Sequence, residues 1–246
     1  VKPQDLPSTT KVLERIATAS GRYSHEVFRA FVYLAACAAS AGRREADYLE
    51  EAKRWQPEHM QEFAVALGAL ISEMQERPFT DVLGPVHMEW SSRSDAAHRG
   101  EFYTPMDICR VMAQLTVKDI PDDRPLDVEE AACGSGAMVL SIAEALVDRG
   151  YSPLNMRAVC TDISSLACDM CYVNLTLWGI PATVIHGNAL TTETWATRVN
   201  PFWGLAQAPR RSAITEIVSN ISALLDSLTP TKATNGQMCF DFGGAA

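Results

Sequence analysis

The sequence has no long hydrophobic run. Its longest apolar stretches, around Phe31 to Ala41 and Ala64 to Ile71, fall well short of the roughly 18 residues a membrane span needs, so no membrane helix is expected. The first residues, with Lys2, Pro3, Asp5 and Pro7, lack the basic-then-apolar layout of a secretory signal, and a cytoplasmic protein is expected. The seven cysteines are then expected as reduced thiols. Positive charge is also scarce: 21 Lys and Arg stand against 30 Asp and Glu, a net charge of −9. Residues 1–95 hold 11 basic against 14 acidic side chains, residues 96–199 hold 7 against 13, and residues 200–246 hold 3 against 3. A protein that grips nucleic acid alone draws most of its affinity from phosphate neutralisation. Without a basic excess, a nucleic-acid substrate would need a local basic patch or a partner protein to hold it. The five histidines, at 25, 59, 87, 98 and 186, form no metal-ligand spacing, and Cys168 and Cys171 lie mid-helix with no second pair.

What is present is an ordinary globular balance, 47% hydrophobic and 21% charged, in a chain of 246 residues. That length suits a core of about 150 residues with a smaller attachment. Residues 1–95 read as a helical domain. Val27, Phe31, Leu34 and Ala38 form one stripe at helical spacing, and Phe63, Leu67, Leu70 and Met74 form another. Ser24 is placed to cap the first of these helices, and Pro57 sits where a helix can begin without its amide hydrogen. Ser91, Ser92, Ser94 and Gly100 mark 91–101 as the junction.

Residues 96–230 read differently, as strands alternating with helices. Leu126–Val128 leads through a glycine turn into a helix over 137–147 that ends at Gly150. Met156–Cys160 runs to Asp162, Ser164 can cap a helix over 165–178 closed by Gly179, and Ala182–Ile185 forms a third strand. A βαβαβ series of this kind is the mark of a parallel, doubly wound sheet, so the fold expected is α/β and Rossmann-like, preceded by the helical domain. Residues 231–246 are left as a C-terminal tail or last strand.

The turn Ala132-Cys133-Gly134-Ser135-Gly136 lets the backbone approach a ligand closely and presents unpaired amides at a helix start. Asp162, directly after the second strand, can accept hydrogen bonds from both hydroxyls of a ribose. The third strand ends in His186-Gly187-Asn188-Ala189-Leu190, where an Asn side chain can pair with an adenine edge. A dinucleotide-dependent oxidoreductase would want Gly-x-Gly-x-x-Gly, and Ala137-Met138-Val139 supplies no third glycine.

Taken in order, Asp81-Val82-Leu83-Gly84, Gly100-Glu101-Phe102-Tyr103-Thr104-Pro105 with Ile108 and Met112, Ala131-Ala132-Cys133-Gly134-Ser135-Gly136-Ala137-Met138, Thr161-Asp162-Ile163 and Gly187-Asn188-Ala189-Leu190 resemble the motif series of adenine-N6 DNA methyltransferases, especially the modification subunits of type I restriction systems. The resemblance covers about 78–190. It implies S-adenosylmethionine as cofactor, with Tyr103, Thr104 and Pro105 at its methionine end and Cys133, Gly134, Ser135 and Gly136 as the floor. It implies Asp162 on the ribose, Ile163 against the adenine, and Asn188 with Ala189 at the exocyclic amine. Glu130 and Ala131 stand where the family commonly has Asp-Pro, and Asn188 where an acid is common; Glu130 keeps the charge and extends its reach.

The family's catalytic turn, Asn/Asp-Pro-Pro-aromatic, has no full match. The nearest is Asn200-Pro201-Phe202-Trp203, which would make Asn200, Pro201 and Phe202 the residues that hold the target amine and stack on the flipped base. It begins 13 positions after Gly187, short for a helix plus a strand, so an ordinary turn stays open as the alternative. The function implied is methyl transfer to the N6 amine of adenine in DNA, with a specificity protein or oligomer as partner. The alternative is a catalytically impaired, cofactor-binding accessory subunit of a modification system. Gln237-Met238-Cys239-Phe240-Asp241-Phe242 resembles the short peptide by which DNA-processing proteins dock on the replication sliding clamp; a final β-strand is the other reading.

Overall fold

The computed structural model describes residues 8–90, 104–207, 231–232 and 238–239. Val1–Ala208 form one compact unit and Pro209–Ala246 a second.

The first unit opens with α1 (Thr9–Ser20), α2 (Ser24–Ala38), α3 (Glu45–Ala52), α4 (Pro57–Glu76) and α5 (Leu83–Trp90). α1 begins where the Ser8 hydroxyl accepts from Lys11 N, and it stops at Gly21, whose φ of 67° suits a residue without a side chain. Val27, Phe31 and Leu34 of α2 are buried together with Phe63, Leu70 and Met74 of α4, as their spacing dictates, and Phe31 stacks on Phe63. Each such side chain contributes roughly 1.5–3 kcal/mol through removal of apolar surface from water. Two local expectations differ. Ala38 is exposed because α2 ends there, and Ser24 is the first helical residue, not the cap, since the N-cap is Tyr23. Pro57 does occupy the first turn of α4.

α6 (Met106–Thr116) leads to the sheet, whose strands are β1 (Leu126–Glu130), β2 (Met156–Asp162), β3 (Ala182–Asn188) and β4 (Glu193–Val199) in that spatial order. β1, β2 and β3 are parallel, joined by α7 (Ala137–Val147) and α8 (Ser165–Leu177), and β4 returns antiparallel to β3. α8 is buried along almost its whole length, between the sheet and α2. Among the described residues the parallel strands run in one direction only, so the doubly wound sheet is present as one of its halves.

The helical layer is tied to this sheet by charge as well as by packing. Asp169 of α8, 7% exposed, lies 3.3 Å from Arg44 Nη1, just before α3, and 3.0 Å from Arg198 Nε on β4. Burial pushes the Asp169 carboxyl up and the two guanidiniums oppose that shift. In the second unit, β5 (Thr231–Lys232) pairs antiparallel with β6 (Met238–Cys239). Of the Gln237-to-Phe242 segment, Met238 and Cys239 are the described residues and form β6. Gln237, Phe240, Asp241 and Phe242 lie outside the described residues.

Candidate functional site

Parallel pairing brings the carboxyl ends of three strands to one edge of the sheet. Glu130 at the end of β1 is level with Cys160 of β2, and Asp162 at the end of β2 is level with His186 of β3, two residues before Asn188. At this edge the chain leaves β1 through the glycine turn. Gly134 and Gly136 have φ of 53° and 91°, conformations that cost little only without a side chain. A Cβ on Gly136 would also come within 3.1 Å of Cys171 Sγ on α8.

The turn is stitched to β2 by backbone and carboxylate together. Cys133 N donates to Thr161 O at 3.0 Å, and Gly134 N donates to Asp162 Oδ2 at 2.8 Å. The other Asp162 oxygen accepts from Ser164 N at 2.8 Å. Glu130 is half-buried, accepts from Ala132 N at 3.3 Å, and burial pushes its carboxyl up. Thr104 and Pro105 are exposed at the start of α6; Tyr103 lies outside the described residues.

An adenosine-bearing cofactor fits this edge. Each Asp162 oxygen accepts one backbone amide, which leaves about two of a carboxylate's roughly four lone-pair positions for ribose hydroxyls. Ile163, 64% exposed, offers an apolar surface beside them. Two details of the expected contacts change. Cys133, Ser135 and Gly136 are buried, so of the four residues expected as the floor only Gly134 is partly open, and the floor is backbone, not side chain. Asn188 Oδ1, the atom that would accept from an adenine amine, already takes Leu190 N at 3.0 Å and Thr191 N at 3.3 Å. Its amide group, a donor, is what remains.

The buried side chains of the turn go to two clusters. Cys133 forms a buried group of thiols with Cys160 of β2 and Cys171 of α8. The neighbouring Cys160 thiol, together with burial, pushes the Cys133 thiol up, and the other two sulfurs with burial do the same to Cys171. No metal-holding group of His, Cys, Asp or Glu occurs among the described residues. Ser135 points the other way, to Asp81, where its hydroxyl donates to Oδ2 at 2.5 Å. Asn174 of α8, fully buried, completes that network. Sequence reading placed no role on Asp81 or Asn174. The available signals were the Asp81–Gly84 motif and a polar side chain, Asn174, on a largely apolar helix.

Asn200, Pro201 and Phe202 are not brought to this edge, and the expectation of a catalytic turn there is corrected. The Asn188 side chain closes a hairpin at Leu190 and Thr191, Thr192 follows with φ of 59°, and β4 then runs back along β3 until Val199 faces Thr183. Asn200 thus lies at the amino end of β3, about 20 Å from Asn188 at roughly 3.3 Å per residue. Its side chain is 1% exposed and spent on structure: Oδ1 accepts from Ala182 N at 3.1 Å and Phe202 N at 3.2 Å, and Nδ2 donates to Ile180 O at 2.7 Å. Phe202 covers Gly179. The 13-residue interval is short because it holds a hairpin rather than a helix and a strand.

A profile of N-6 DNA methylases matches residues 81–221, more than half of the chain. The chain belongs to the N-6 DNA methylase family. Over 101 residues this methylase is 31% identical to the type I restriction enzyme MpnII methylase subunit of Mycoplasma pneumoniae, covering 39% of this chain and 18% of that relative. The methylase chain thus spans less than a fifth of that relative's length. Two solved structures are similar. One, described as a class I S-adenosylmethionine-dependent methyltransferase from Listeria monocytogenes, shares 15% identity over 74% of this chain and 54% of its own, with a TM-score of 0.39. The other, a type I restriction-modification methyltransferase subunit from Streptococcus thermophilus, shares 17% identity over 60% of this chain and 31% of its own, with a TM-score of 0.36.

Proposed function

We propose that this N-6 DNA methylase is an S-adenosylmethionine-dependent enzyme acting on the N6 amine of adenine in DNA, and that residues 103–190 carry its cofactor side. The observation that carries this reading is the bond from Gly134 N to Asp162 Oδ2, which locks the glycine turn to the carboxylate that would hold a ribose. The bound cofactor would supply an electrophilic methyl group. Asp162 would hold the two ribose hydroxyls, Ile163 would pack on the adenine, and the Asn188 amide would donate to a ring nitrogen. Ala189 would sit beside that contact, and Tyr103, Thr104 and Pro105 would hold the methionine end. Glu130 would face the cofactor as a second carboxylate. The target amine must be oriented by acceptors other than Asn200, whose polar atoms are committed to Ile180, Ala182 and Phe202. A DNA-specificity partner would supply the grip that a segment with 7 basic and 13 acidic side chains lacks.

The test is transfer from methyl-labelled cofactor to unmethylated DNA, with and without a co-expressed specificity subunit. Partner-dependent labelling of adenine is expected. Cofactor binding without labelling under either condition would favour the second reading, an accessory subunit, which the placement of Asn200 also supports.

A further inference from the structure

Asp81 stands just before α5, 54 residues upstream of the glycine turn, yet it is buried directly behind it. Its carboxylate accepts from the Ser135 hydroxyl at 2.5 Å, from Asn174 Nδ2 at 2.9 Å and from Gly84 N at 3.0 Å. Three donors from three parts of the chain converge on one buried carboxylate, and none of them is a cation. Asn174 Nδ2 also donates to Ser135 O at 2.9 Å, so both polar groups on Ser135, hydroxyl and carbonyl, are held by one network. Gly84 is part of the same fit: a Cβ there would overlap Asp81 Oδ2 and lie 2.7 Å from Ser135 Oγ. Ser135 sits between the two left-handed glycines, so the direction of its side chain fixes the one residue in this stretch that has a restricted backbone. A plain helix cap would need only the Gly84 amide. The Ser135 bond adds nothing to α5 and much to the turn.

We propose that Asp81 is a positioning residue for cofactor binding, one that acts through Ser135 to hold the glycine turn in its ligand-ready shape; this rests on the reading that the turn binds S-adenosylmethionine. The network spans three elements otherwise connected through the core: the approach to α5, the turn ahead of α7, and α8. Loss of the carboxylate would free the Ser135 hydroxyl and carbonyl to reorient, and the turn would have to be re-ordered each time a ligand binds. That ordering cost would appear in affinity.

The test is calorimetric titration of S-adenosylhomocysteine into the full chain and into Asp81→Ala, Ser135→Ala and the double variant, at a temperature where circular dichroism shows each folded. Asp81→Ala is expected to weaken binding tenfold or more and Ser135→Ala about as much. The double variant should be no weaker than either single one, because both remove the same link. Asp81→Asn, which can still accept from Gly84 and donate to the Ser135 hydroxyl, should recover most of the affinity. If Asp81→Ala does not fold, Ser135→Ala with Asp81→Asn decides the matter by the same comparison. Wild-type affinity in Asp81→Ala or Ser135→Ala, whatever the loss in melting temperature, would reduce Asp81 to a helix cap. Failure of the wild-type chain to bind would instead overturn the cofactor reading itself.

Discussion

Asp162 and Asn200 show how the meaning of a polar residue at the end of a strand depends on which edge of the sheet that strand runs to. Asp162 ends a parallel strand and arrives at the edge where the glycine turn and the exposed apolar surface of Ile163 meet. Asp162→Ala should weaken S-adenosylmethionine binding at least tenfold by calorimetry, since two charge-assisted hydrogen bonds are worth on the order of 2 kcal/mol or more. Unchanged affinity would remove the ribose assignment. Asn200 follows an antiparallel strand and is carried to the far edge, where its amide bridges the loop between α8 and β3. Asn200→Ala would leave the Ala182 amide and the Ile180 carbonyl short of a partner, each a loss of about 1–3 kcal/mol. A markedly lower urea midpoint with cofactor affinity intact is the expected result; loss of cofactor binding in a fully folded variant would contradict it. In sequence the two positions looked alike, a polar residue after a strand. What separated them was the direction of β4, set by a hairpin that rests on one side-chain oxygen.

At the level of elements, the parallel core was readable because its signals were local. The helix over 137–147 matches its apolar spacing, Ser164 caps α8 by accepting from Ala167 N, and Gly150 and Gly179 take left-handed conformations just beyond their helices. β4 was harder to place because every residue but Arg198 is exposed, leaving no alternation to follow. The links of the Asp81 network were not legible, even though Asp81 and Ser135 stand in recognisable motifs, since they join residues 54 and 93 positions apart through side-chain contacts that no local pattern encodes. The network does carry a pH signature. Burial pushes the Asp81 carboxyl above its ordinary value of 3.8, so the folded chain holds that proton more firmly than the unfolded one. Its contribution to stability is full below the ordinary value and is lost as pH rises through the folded-state value. The stability of the wild type relative to Asp81→Asn should therefore decline from acid toward neutral pH in paired urea titrations; a difference that grows with pH would reverse the assignment.

For the whole molecule, charge decides how it can work. The excess of acidic side chains over residues 96–199 and the even balance over 200–246 offer phosphates little. The chain alone should bind duplex DNA weakly and without sequence preference in fluorescence anisotropy at physiological salt, and a partner should restore binding. Tight, selective binding by this chain alone would contradict that. The two arginines that converge on Asp169 illustrate where positive charge has gone instead: into fastening the helical layer to α8 and β4.

The three sulfurs behind the glycine turn give the molecule a built-in clock. Cys133, Cys160 and Cys171 are at most 6% exposed and belong to three separate segments, so a thiol reagent can reach Cys133 and Cys171 together only when the turn lifts from α8. Their rate of modification by a maleimide, followed by peptide mass spectrometry, is then a direct count of openings. A ligand seated on the turn should slow that count, while Cys37, buried on α2 away from the turn, keeps its own pace. Equal slowing at Cys37 would mean that the ligand tightens the entire chain and not the turn.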